Sequence, residues 1–170
     1  MTRRHWLLLA ALLIPGAAHA DPSAALAGLF MQSCLPYAGD PAGLRAWAAG
    51  KGLPKVPEQA RKAFLLGAPG DVFDASDNEG KFVVASSDDG ICSTATNKVT
   101  GPAITEALES DLRASGIAFR LVIERDDKTI PDIHDREYLA TKNGRNWRIL
   151  LATVKDRSGG QAMITGAPSS

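Results

Sequence analysis

Asn143-Gly144, set between two runs of alternating apolar and polar residues, constrains the architecture of this chain more than any other feature. Both residues tolerate the positive φ of a type I′ turn, whose twist suits a tight antiparallel hairpin. After the turn, Trp147, Ile149, Leu151 and Thr153 recur with period two, and Leu150, Ala152 and Val154 make the opposite face largely apolar as well. Two apolar faces predict an interior strand. Before the turn, residues 136–141 form its partner. Earlier still, Phe119, Leu121 and Ile123 alternate with Arg120 and Glu124, predicting another strand with those three apolar side chains on one face. Ser158-Gly159-Gly160 turns the chain into a last strand over 161–165. The C-terminal part therefore reads as four antiparallel strands.

The N-terminal part has a helical period instead. Asp21 caps a first helix, Pro22 fits its first turn, and Leu26, Leu29, Phe30 and Cys34 share a face until Pro36 ends it. A second helix follows Gly39-Asp40-Pro41 with Leu44, Trp47 and Ala48 apolar. A third starts at Pro57, carries Phe64 and Leu65, and stops at Gly67. Beyond Gly70 the period shifts to two: a short strand at 71–73, a better one at 81–86, and 91–96 pairing back as a hairpin. Gly101-Pro102 then opens a helix in which Ile104, Leu108 and Leu112 recur every four residues. The expected fold is α+β. N-terminal helices precede an antiparallel sheet with one crossover helix, an αββαβββ core like the profilin, PAS and roadblock architectures by analogy alone.

Residues 1–20 have the parts of a secretory signal. Arg3 and Arg4 precede the apolar run 6–14 (WLLLAALLI), Pro15-Gly16 breaks it, and Ala18-His19-Ala20 offers small residues to a peptidase. Nine apolar residues fall short of the roughly 20 that span a bilayer. Cleavage after Ala20 is expected, leaving a single domain over 21–170, periplasmic or secreted, with no transmembrane segment. The mature chain then carries 17 basic and 19 acidic residues, a balance without long-range pull on nucleic acid. Its sole histidine is His134.

Export matters for the two cysteines. In an oxidising compartment Cys34 and Cys92 allow one intramolecular disulfide. A reactive thiol is the rival, but Asp88 and Asp89 beside Cys92 would raise its pKa. A bond between them would tie the leading helix to the central hairpin.

The acidic stretch 71–80 fails the calcium-loop spacing: counted from Asp74, glycine falls at position 7 and Ala85 at 12. A solvated hairpin loop suits it better. Ser86-Ser87-Asp88-Asp89 lacks an adjacent base and reads as a turn. His134, flanked by Asp132 and Asp135 in a charged loop, is a candidate general base. Arg136, Glu137, Arg145 and Arg148 are candidates for a strip that contacts an anionic ligand or partner; the plainer role is the wet face of a sheet. Trp47 and Trp147 suit the core. No Walker loop, dinucleotide fingerprint, His-Glu-x-x-His or paired CxxC motif occurs, so no cofactor and no metal are assigned.

The segments GDVF, GKFVVASSDDGICSTAT, ALESDLRASG, RNWRILLATV and GGQAMIT together resemble a family of small exported proteins and lipoproteins of Gram-negative bacteria, neisserial members included, whose role is uncharacterised. The resemblance runs over about 29–165. It implies export but transfers no catalytic residue, and this chain has no cysteine at its expected cleavage point for a lipid anchor. Two functional classes follow. One is a non-catalytic periplasmic binding or protein-interaction module, stapled by its disulfide, whose partner is another exported or envelope protein. The other is a small hydrolase or thiol enzyme using Cys34 or Cys92 with His134. A ligand-sensing domain is a third, requiring an apolar pocket between helix and sheet.

Overall fold

The computed structural model describes residues 21–130, 132–154 and 160–169. The expected leader over 1–20 and its cleavage point lie outside them, as do Ser158 and Gly159 of the last turn. The elements run α1 (Pro22–Gln32), α2 (Cys34–Tyr37), α3 (Pro41–Gly50), α4 (Glu58–Phe64), β1 (Gly70–Asp74), β2 (Phe82–Ser87), β3 (Cys92–Thr96), α5 (Gly101–Ala114), β4 (Ala118–Asp126), β5 (Ile133–Lys142), β6 (Arg145–Val154) and β7 (Ala162–Pro168). The strands form one antiparallel seven-stranded sheet ordered β1-β2-β3-β7-β6-β5-β4. The chain is α+β. Three strands precede α5 and four follow it, the number of strands the sequence pattern places on each side and one more on each side than an αββαβββ core holds.

Local chemistry sets the helix ends. The Asp21 carboxylate accepts the Ser23 N–H at 3.0 Å, and the Asp40 carboxylate accepts the Gly43 N–H at 2.9 Å. Pro36 does not end the helical segment as the sequence suggests. It falls in the first turn of α2, where a missing N–H leaves no intrahelical bond unmade. Helix α5 buries Ile104, Leu108 and Leu112, each stabilising the fold by about 2 kcal/mol, and packs against α1.

The inner face of the sheet meets α1 and α5. There Phe82, Val84, Ile149, Leu151, Ile164 and the fully buried Tyr138 complete one core with Leu26 and Phe30. The outer face is covered at one end only. Leu65, just past α4, packs with Val72 and Ala85 in a small separate cluster. A β-bulge between Leu121 and Ile123 changes the face of β4 midway. Phe119 and Leu121 therefore share a face with Ala140 and Tyr138, whereas Ile123 pairs with Glu137 on the other side. The expectation of one common face for all three fails because period-two reasoning holds only where no extra residue enters the ladder. Strand β5 also starts earlier than expected, at Ile133, which moves His134 from a loop into the sheet.

Candidate functional site

The sulfurs of Cys34 and Cys92 are joined, with their Cα atoms 5.1 Å apart and both side chains buried. Cys34 opens α2 and Cys92 opens β3, so the bond fixes the helical N-terminal segment to the central hairpin. The backbone closes the same gap. Gly39 donates its N–H to the Gly90 carbonyl at 2.9 Å, and a Cβ on Gly90 would stand 2.8 Å from the Gly39 Cα. Gly90 also has φ +90°, a conformation that side chains disfavour. The Asp89 carboxylate accepts the Ile91 N–H at 3.1 Å, and the Ser87 hydroxyl donates to the Pro69 carbonyl at 3.4 Å. Ser86 and Ser87 close β2 and the turn follows them: Ser87 and Asp89 bond backbone, the Asp88 carboxylate pairs with Arg45, and the buried Ser86 hydroxyl has no partner among the described residues. Arg45 bridges Asp88 and Asp71, and Lys55 also pairs with Asp71 at 2.6 Å. The 71–80 stretch behaves similarly: Asp74 accepts the Ser76 N–H at 2.9 Å, and Asp77 accepts the N–H groups of Glu79 and Gly80.

His134 and Arg136 come together on the inner side of β5, near its start. His134 Nδ1 lies 3.0 Å from Asp126 and Nε2 3.4 Å from Glu124. Arg136 also pairs with Glu124, and its Nε donates to the Tyr138 hydroxyl at 3.0 Å. That hydroxyl in turn donates to Glu109 at 3.1 Å, and Arg113 holds the same carboxylate at 2.6 Å. Burial pushes the Tyr138 phenol up. Burial also works against the Arg136 charge, but the Tyr138 hydroxyl with Glu124 and Glu109 outweighs it and raises the guanidinium pKa. The result is a continuous polar chain from α5 to the β4 edge. It has no cysteine: the row containing His134 crosses Thr153 and Ala162 and reaches β3 at Thr96, four residues from Cys92.

The other two arginines stand elsewhere. Arg148 pairs across with Leu139 on the outer face and binds Glu137 at 2.7 Å. Arg145, at the hairpin, lies 5.2 Å over the Trp147 ring and donates to the Pro36 carbonyl. The four charges therefore form no single strip. Trp147 is buried in the core, and Trp47 is half-buried against it.

The larger feature is a groove on the outer face of the sheet, which sequence reasoning did not locate. Its volume is about 580 Å³. Val83, Ala95, Met163 and Ala152 form its floor as one cross-strand row over β2, β3, β7 and β6. Val56 and Phe64 line it at the β2 side, Ile133 and Val154 at the other. The two alanines leave room in the floor beside Met163, and larger side chains stand at the ends. Phe64 and Met163 are 43% and 38% exposed in it. The two-sided apolar pattern of β6 was the available signal: Ala152 and Val154 belong to this groove.

Among the described residues, no group of three or more His, Cys, Asp or Glu side chains is arranged to hold a metal. None of the described helices is long and apolar enough to cross a membrane. No protein-family model matches the chain, and no curated protein matches it significantly.

Proposed function

We propose that this is an exported, non-catalytic binding module: a single domain over 21–170, released by cleavage after Ala20 and acting on another exported or envelope protein. The observation that carries this reading is the division of the sheet. One face is covered over most of its width by α1 and α5 and tied down by the buried Cys34–Cys92 bond, and the other keeps an apolar groove open. Both sulfurs are consumed in that bond, so the alternative thiol enzyme lacks its nucleophile, and His134 is held between two carboxylates. The likeness to small exported proteins of Gram-negative bacteria supports the same location. A disulfide also fits an oxidising compartment.

The test is retention of envelope proteins by the immobilised exported chain, with mass spectrometry of the eluate. Specific recovery of one exported protein is expected. Recovery of nothing but abundant background proteins, or turnover of model ester substrates, would defeat the reading. The groove between α4 and the sheet favours a second reading, a domain that takes a small apolar ligand.

A further inference from the structure

The groove has a polar end and an apolar end, set by strand register. Lys81 precedes β2, Asn97 follows β3 and Gln161 precedes β7, so antiparallel pairing gathers all three at one edge of the sheet. The floor row of Val83, Ala95, Met163 and Ala152 lies two residues further into the strands. Asp74 and Ser76 share the rim. The Ser76 hydroxyl and N–H, with Lys81 nearby, hold the Asp74 carboxyl below its usual range. Asp74 is thus a fixed anion turned to its own loop. The rim beside Asn97 and Gln161 offers a cation and two carboxamides to an incoming acceptor.

We propose that the groove binds a single-chain amphiphile with an anionic head, namely a free long-chain carboxylate, its tail along the floor row and its head at Lys81, Asn97 and Gln161. This rests on the second reading above, a domain that takes a small apolar ligand, and names the ligand. The groove volume is in the range of small-molecule sites. An apolar floor of Val83, Ala95, Met163 and Ala152 accommodates one flexible chain, while one cation at one end orients it.

Palmitate is the probe, titrated calorimetrically into delipidated exported protein, with hexadecanol and phosphatidylglycerol vesicles as comparison arms. Saturable one-to-one palmitate binding is expected. Lys81→Gln, at an exposed position, should weaken palmitate by about tenfold and leave hexadecanol unchanged. Ala152→Phe should abolish binding of both by filling the floor, and Ala95→Phe supplies an independent block should Ala152→Phe fail to fold. Absence of saturable palmitate binding, equal palmitate affinity for wild type and Lys81→Gln, or binding to vesicles alone would overturn the assignment. Retention of an envelope protein is measured separately, so failure of the ligand and failure of the module are told apart.

Discussion

Reducing the Cys34–Cys92 bond should cost this protein a large part of its stability without unfolding it outright. The two cysteines are 58 residues apart in sequence, and closing a loop of that length removes chain entropy from the unfolded state equivalent to about 4 kcal/mol. Wild-type protein, oxidised and reduced, is the cleanest comparison. A double Cys→Ala variant would also lose the packing of two buried sulfurs, adding roughly 1 kcal/mol at each site. With a urea slope of about 2 kcal/mol per molar, the reduced midpoint should fall by about 2 M. The slope itself should rise, because an uncrosslinked chain exposes more surface when unfolded. Far-UV circular dichroism of the native state should change little, since the Gly39–Gly90 hydrogen bond and the α1 packing persist. Two titratable thiols in native protein, or a stability difference under 1 kcal/mol, would refute the reasoning.

Gly90→Ala should lose about 2 kcal/mol or more in urea unfolding, since the substitution forces a side chain into φ +90° and against the Gly39 backbone. Thr94→Val should gain about 1 kcal/mol, because the Thr94 hydroxyl is fully buried with no hydrogen-bond partner among the described residues; a midpoint below wild type would contradict this. Burial raises the Asp111 carboxyl pKa, so its ionisation opposes folding: the penalty is absent below the unfolded-state pKa and grows as pH rises through the folded-state value. Asp111→Asn should therefore raise the urea midpoint at pH 7 and match wild type near pH 3, which paired denaturation curves at the two values would check.

Strand periodicity made most of the sheet legible. Asn143-Gly144 places β5 against β6, with Asn143 at φ 52° and Gly144 at φ 76°, and the Lys142–Arg145 pair closes the hairpin. The recurrence of Ile104, Leu108 and Leu112 marks α5, and two cysteines allow one intramolecular pairing, the Cys34–Cys92 bond. Long-range placement was harder to read. Period-two reasoning cannot see the bulge after Leu121, because the inserted residue leaves no mark in composition. Arg136 and Arg148 look alike in sequence, yet register separates them onto opposite faces and gives each its own carboxylate. The groove depends on residues from six strands and α4, so only topology assembles it. Ala95 and Ala152 in particular look unremarkable in a linear reading, and their small size matters only once Phe64 and Ile133 stand at either end.

Placing rigidity and openness on opposite faces follows from how the helices are distributed. Three elements converge on the inner face beside β3, where α1, α2 and the disulfide meet, and the Arg136–Tyr138–Glu109 chain ties α5 to β5 further along. Any element docking on the outer face therefore meets a sheet that cannot deform to refuse it. Helix α4, by contrast, buries none of its own residues and is anchored through Arg61, which donates to the Gly70 carbonyl at 3.1 Å, and through Leu65 just beyond its end. It supplies Phe64 to the groove. A lightly held wall beside a stapled floor lets the groove adjust its width at small cost, because few buried contacts break when α4 shifts. Hydrogen exchange should accordingly be fast in α4 and slow in β3, β6 and β7. Equal protection in α4 and β3 would mean that the wall is as fixed as the floor, and the groove would then accept only a ligand of its present width.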